Sequence, residues 1–186
     1  MKWLATWGIA AALIVAAWLI SLVTPDEVAW RDGYPVTATI GQPLVDRNVT
    51  ITVTSATIAD ELTEASDVRL PATGAVWVAF DISAQVLRDE TQGTITNATL
   101  IIDGNEYRAS DRVRGGLERA QIFIAAPSTG AIVFEIPEPL AEKSAELRLG
   151  ARWDVDNADT YLVVTVNLAD AVRVETFDMP AVTVGD

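Results

Sequence analysis

The sequence predicts an all-β fold, an antiparallel β-sandwich preceded by one N-terminal transmembrane helix. Two observations carry this prediction. An uncharged run fills positions 3–23, and beyond it apolar residues recur at every second position in short segments that end at Gly, Pro, Asn or Asp. We therefore divide the chain into an anchor (1–23), a juxtamembrane linker (24–35), a sandwich (36–175) and a C-terminal tail (176–186).

Composition excludes several kinds of chemistry. The chain has 186 residues, room for one domain beside the anchor, and contains no cysteine and no histidine. Disulfides, thiolate metal sites, cysteine nucleophiles and Ser-His-Asp triads are therefore impossible. The formal net charge is −13, and all 26 acidic residues lie beyond residue 23, so nucleic acid is not an expected partner. No cofactor is expected.

The N-terminal run predicts an uncleaved signal anchor. At 1.5 Å per residue, the helix from Trp3 to Val23 would cross a hydrocarbon core of about 30 Å. Such a run exceeds the usual apolar region of a secretory signal, and no A-x-A-like cleavage site follows it. Lys2 precedes the run while Asp26 and Glu27 follow it, which predicts a cytoplasmic N-terminus and an extracytoplasmic domain in the cell membrane.

The predicted strands begin after the linker. A short strand is expected over 36–40, and the next run places Val49, Ile51 and Val53 on one face and threonines on the other. The longest strand alternates Val76, Val78, Phe80 and Ile82 with Trp77, Ala79, Asp81 and Ser83, and its residues are the β-branched and aromatic types that strands favour.

Five more strands follow. Asp103-Gly104-Asn105 predicts a tight hairpin turn, because Asp-Gly supplies the positive φ angles that such turns need. The next strand turns Ile132, Phe134 and Ile136 inward and stops at a proline, and two further strands flank an Asp- and Asn-rich turn at 154–159. Seven to nine short strands in about 140 residues are typical of a sandwich.

The order of these segments resembles a known family. IGQPLVDRNVTITVTSATI, GAVWVAFDISAQ, LIIDGNEYRAS, PSTGAIVFEIPEPL and AELRLG, within about residues 39–150, are similar to the bacterial secreted or membrane-anchored, telokin-like immunoglobulin-like domains of unknown function, the group that includes the mycobacterial immunoprotective extracellular antigen. The resemblance implies an immunoglobulin-like sandwich and an exported location. It implies no catalytic residues.

An arginine-rich loop is the first candidate site. Residues 108–119 place Arg108, Arg112, Arg114 and Arg119 in an otherwise acidic chain, and Gly115-Gly116 would let the loop move. A planar guanidinium suits a carboxylate or phosphate, so this loop is a candidate for binding a partner. The alternative is a solvated loop whose arginines pair with neighbouring acids.

The sequence offers three other candidate sites. Asp154, Asp156 and Asp159 offer oxygen ligands to a cation such as Ca²⁺, although an Asp-rich turn has the same composition. Trp77 has the parity of the solvent face, so it either contacts a partner or lies under a neighbouring loop. The tail could add to a sheet edge, serve as a terminal strand, or fray.

These features predict a non-catalytic module of the bacterial cell envelope. We expect a single-pass membrane protein that displays one sandwich and binds another envelope or membrane protein, or has a structural role there. The alternative is a carboxylate-dependent envelope hydrolase or a glycan- or cation-binding domain, for which a pocket with two facing acids would be expected.

Overall fold

The computed structural model describes residues 34–46, 49–87, 92–95, 97–124, 126–152 and 160–185, together with positions 3, 6–9, 13–16 and 18. Those isolated N-terminal positions are α-helical. Within the described residues, no helix is both long enough and apolar enough to cross a membrane. Most of the predicted anchor, and the linker up to residue 33, lie outside the described residues.

Strands are the main regular secondary structure from residue 34 onward. Three short 3-10 turns accompany them, at Leu117–Arg119 (η1), Glu138–Leu140 (η2) and Leu168–Asp170 (η3). In chain order the strands are β1 (Tyr34–Thr39), β2 (Pro43–Val45), β3 (Val49–Thr63), β4 (Arg69–Pro71), β5 (Ala75–Val86), β6 (Gln92–Ile95), β7 (Thr99–Ile102), β8 (Asn105–Arg108), β9 (Ile122–Phe123), β10 (Ser128–Pro137), β11 (Ser144–Leu149), β12 (Ala151–Arg152), β13 (Thr160–Asn167), β14 (Val172–Asp178) and β15 (Thr183–Val184).

Two large sheets form the sandwich. One has five strands in the order β1-β13-β11-β7-β8, and the other has the path β14-β3-β5-β10-β15, with β2 and β4 also paired to β3. A small sheet, β12-β6-β9, is separate. The prediction of a β-sandwich is thus confirmed. The prediction that all its strands pair antiparallel is wrong, because β1 pairs in parallel with β13 and β14 pairs in parallel with β3. Both exceptions are edge strands, reached by long connections.

The main core lies between the two large sheets and has the predicted faces. Strand β5 turns Val76, Val78, Phe80 and Ile82 into this core, where Phe80 meets Phe134 edge-on at 5.8 Å between ring centres. Burying such side chains stabilises the fold by about 1.5–3 kcal/mol each. The β7–β8 hairpin also forms as predicted, with φ angles of 51° at Asp103 and 79° at Gly104.

One irregularity in β3 could not be read from the alternation. The register against β5 shifts between Val53 and Ser55, as a bulge does, so the inward positions pass from Val49, Ile51 and Val53 to Ala56 and Ile58. The hydroxyl of Ser55 donates to the Asp81 carboxylate at 2.5 Å across the shift.

A second apolar cluster lies on the outer face of the seven-stranded sheet. On this face β3, β5 and β10 are apolar around Ala59, Trp77 and Val133, and the loop 110–116 and the tail lie over them. Further along β5 the same face carries the polar residues Asp81 and Ser83. The cluster consists of Ala59, Leu62, Trp77, Ala79, Val113, Ala131, Val133 and Met179, with Leu70, Ala72 and Phe177 at its margin.

The tail belongs to the fold, so the boundary predicted at residue 175 is displaced. That position falls inside β14, whose outward side chains are mostly exposed. After β14 the chain crosses the outer face and adds β15 to β10, with Met179 buried and its amide donating to the Thr63 carbonyl at 2.8 Å. The tail therefore augments its own sheet.

Candidate functional site

The arginine-rich loop, residues 108–119, is a cover on the sandwich. The Ser110 amide donates to the Val133 carbonyl at 2.9 Å, and Val113 is fully buried in the outer cluster. Gly116 is buried as well, and its carbonyl accepts from the Arg119 amide at 3.1 Å. The loop thus presents its arginines from a backbone that is held at both ends.

Arg112 is used inside the fold. Its Nη1 donates to both carboxylate oxygens of Glu135 at 2.8 and 2.9 Å, and its Nη2 donates to the Pro71 carbonyl at 3.3 Å. The guanidinium also stacks on the Trp77 ring, 5.1 Å from the ring centre. Because these contacts occupy most of its donors, Arg112 is a structural residue and leaves the set of partner-binding candidates.

Trp77 is fully buried, which decides between its two interpretations. Its indole Nε1 donates to the Leu70 carbonyl at 2.8 Å, and its ring lies beneath Arg112. The outward parity predicted from the sequence is correct, but the loop and β4 cover that face. Trp77 therefore cannot serve as an exposed anchor for a partner.

Arg114 and Arg119 line a groove of about 300 Å³ between the loop and the tail. The floor and walls are mostly apolar, and the side chains of both arginines are exposed. The Arg114 amide donates to the Glu64 carboxylate at 2.6 Å, which fixes one rim. The lining residues, which we call the arginine groove, are Glu64, Ala65, Arg114, Gly115, Gly116, Arg119, Ala120, Met179, Pro180, Ala181 and Val182.

Glu118 is a shielded carboxylate next to this groove. Only 13% of its side chain is exposed, and burial raises its pKa above the usual 4.5, against the opposing effects of its own backbone amide and of Arg119. Arg119 Nε lies 3.6 Å from Oε1, while Oε2 is buried with no hydrogen-bond partner among the described residues. A side chain at Gly116 would collide with this carboxylate, so the glycine makes room for it.

Arg108 lies apart from the other arginines. It ends β8 and lines a more polar hollow of about 510 Å³, together with Glu106 and Glu118. Asn97 and Thr99 add an amide and a hydroxyl to the same hollow. The structure thus brings together Arg114 and Arg119, places Arg108 on another surface, and uses Arg112 in the fold.

The predicted acidic turn, with Asp154, Asp156 and Asp159, lies outside the described residues. Across the ranges that the structure describes, no group of three or more acidic, histidine or cysteine side chains is arranged to hold a metal ion.

Comparison with known proteins supports the fold alone. The chain matches no protein-family model and no curated protein. It is similar to the crystal structure of an uncharacterized β-sandwich protein from Clostridium difficile 630, with a TM-score of 0.51 and 12% sequence identity over 77% of this chain and 99% of that one. The chain shares an all-β sandwich with that protein.

Sequence reasoning missed two parts of the candidate site. The groove wall at 179–182 falls within the predicted tail, although methionine is among the residue types that are most often buried. The shielding of Glu118 depends on Gly116 and on the packing of η1, which no local pattern reveals.

Proposed function

We propose that this protein is a membrane-anchored, extracytoplasmic immunoglobulin-like module that binds another envelope protein without catalysis. The N-terminal apolar run would act as an uncleaved anchor with the N-terminus in the cytoplasm. The sandwich would then stand outside the cell membrane, where its acidic surface keeps it soluble.

Strand order supports the immunoglobulin-like assignment. Immunoglobulin sandwiches place strands A, B, E and D in one sheet and C, F and G in the other. Taking β3, β5 and β10 as A, B and E, and β7, β11 and β13 as C, F and G, reproduces the division and the order of these six strands, while the C-terminal β15 lies beside β10 in the place of strand D. β8 then corresponds to the C′ strand of variable-type domains.

The arginine groove is the observation that carries the binding proposal. Its apolar floor would accept an aliphatic or aromatic side chain, and the two guanidinium groups would hold carboxylates beside it. The fitting partner is therefore a protein segment in which acidic and apolar residues alternate. Arg114 has no charged side-chain partner among the described residues, so its charge is free for such a contact.

Photocrosslinking in membranes tests this proposal. A photoreactive residue at Ala181, in the groove, should capture a specific second protein, and Arg114→Glu in the same chain should abolish that product. The matched control places the photoreactive residue at Glu175, exposed on β14 away from the groove. Identical products from both positions, or a groove product that survives Arg114→Glu, would reject groove binding.

A carboxylate-dependent envelope hydrolase remains the second candidate because of Glu118. Its raised pKa suits a general acid, and Glu106 shares its hollow. This function requires that the full chain release reducing ends from isolated cell-wall glycan and that Glu118→Gln abolish the release. Full activity of the Glu118→Gln variant would exclude the hydrolase function.

A further inference from the structure

The exposed face of the five-stranded sheet carries charges in two ordered rows. In the cross-strand register, Arg148 of β11 is opposite Thr99 of β7, which is opposite Arg108 of β8. Two residues along each strand, Glu146 is opposite Ile101, which is opposite Glu106. A basic row thus runs beside an acidic row, about 7 Å away along the strands.

Both rows point away from the core. The intervening residues Leu147 and Leu100 are fully buried between the sheets, so the charged positions have the outward parity. Glu106, Arg108 and Glu146 are exposed. The face is therefore accessible over β11, β7 and β8.

We propose that a second copy of this chain docks on this face, in a two-fold symmetric, face-to-face dimer. The two-fold axis lies in the interface, between the two rows and parallel to them. Rotation about this axis places Arg148 opposite Glu146 of the other copy and Arg108 opposite its Glu106. By symmetry each contact occurs twice, and Thr99 meets Ile101 at the centre.

The charge rows select this arrangement over its parallel alternative. An axis along the strands would set Arg108 against Arg148 of the other copy and Glu106 against Glu146, so like charges would meet at four places. The selected dimer has antiparallel strands across the interface, and its two β1 strands begin at opposite ends.

The environment of Arg148 also supports the docking of a second copy on this face. Although its Nε is buried, 41% of the side chain is exposed, and its guanidinium is held against Tyr161 at 5.5 Å from the ring centre. Within the chain, its Nη2 reaches Glu146 Oε2 at 3.2 Å. A carboxylate from the other copy would give this held guanidinium a further acceptor.

The size of the face predicts a weak dimer. Five strands spaced about 4.8 Å apart, each with about five residues at about 3.3 Å, offer a patch of about 400 Å² per copy. Stable interfaces bury about 800 Å² per partner, so the association should be transient and sensitive to salt.

Single charge-reversal variants test the proposal by co-capture. Two differently tagged copies of the full chain are solubilised in detergent, and the amount of one copy that is captured with the other is measured. Arg108→Glu alone and Glu106→Arg alone should each weaken self-capture by about tenfold or more, because attractive contacts become repulsive at two places. A mixture of the two single variants should recover capture, since each altered side chain then meets its complement. The double variant should also pair with itself.

Arg173→Glu is the matched control, because Arg173 is an exposed arginine on the other sheet and should leave self-capture unchanged. Unaltered thermal melting of the variants confirms that they fold. Strengthened capture by Arg108→Glu would instead indicate the parallel arrangement, and unchanged capture or a mixture without recovery would overturn the dimer. Arg114→Glu should keep self-capture, which separates failure of the dimer from failure of groove binding.

Discussion

The guanidinium carbon of Arg112 lies 5.1 Å from the centre of the Trp77 ring, and the same guanidinium binds Glu135 with two hydrogen bonds. Trp77 faces away from the main core, so without this cover a large aromatic ring would be open to solvent on the outer face. The arginine-rich loop is thereby attached to the sheet beneath it. Packing of the outer cluster and the position of the arginine groove depend on the same contacts.

Arg112→Ala should lower the free energy of unfolding by about 1–2 kcal/mol, since it removes a cation–π contact and a partly exposed ion pair. Chemical denaturation measures this loss. Arg173→Ala is the control: its exposed side chain contacts Glu142 at 3.4 Å, and the change should cost less than about 0.5 kcal/mol. Equal losses in the two variants would show that Arg112 does not hold the loop.

Glu118→Gln should change how stability depends on pH. A folded-state pKa raised above 4.5 means that the native protein binds this proton more tightly than the unfolded chain does. The contribution to stability is therefore complete below about pH 4.5 and is lost as the pH rises through the folded-state value. The glutamine variant lacks this loss. The difference between its melting temperature and that of the wild type should therefore shift in favour of the variant as the pH rises from 4 to 8.

Glu106→Gln, in the same hollow but exposed, is the control for that series. A pH-independent difference between wild type and Glu118→Gln would show that Glu118 is not buried as described.

Met179→Ala should destabilise the domain by about 2–4 kcal/mol, because only 5% of this residue is exposed and its side chain packs in the outer cluster. Val184→Ala, in β15 and 48% exposed, should cost less than about 0.5 kcal/mol. Denaturant midpoints compare the two variants. A negligible effect of Met179→Ala would mean that the C-terminal segment frays and is not part of the fold.

Much of the sandwich could be predicted from the sequence because its central strands alternate strictly. The inward set of β5, the Asp103-Gly104 turn and the stop of β10 at Pro137 follow from period-two burial and turn chemistry. The short strands β2, β4, β6, β9, β12 and β15 escaped prediction, since segments of two to four residues are too short to show a period. The seven-residue β14 escaped as well, because most of its residues are exposed and it presents no inward apolar set.

The candidate site was harder to predict, because its parts come from distant segments. Arg112 and Arg114 are two residues apart, yet one stacks on Trp77 and the other rims the groove. The charge rows of the five-stranded sheet depend on the register between β11, β7 and β8, which local sequence does not specify. The cluster of arginines in the sequence predicted a candidate binding surface. It did not show which arginine side chains pair inside the fold and which remain available to a partner.

Cysteine labelling in intact cells tests the central claim, an anchored domain outside the membrane, most directly. Because the chain has no cysteine, Glu175→Cys creates a single thiol, at an exposed position of β14, and leaves Lys2 and the charges that flank the apolar run unchanged. A membrane-impermeant maleimide should label position 175 in intact cells as fully as after lysis, on a chain whose mass still includes residues 1–23. Protection of position 175 until lysis, or a mature chain that lacks the apolar run, would contradict the account.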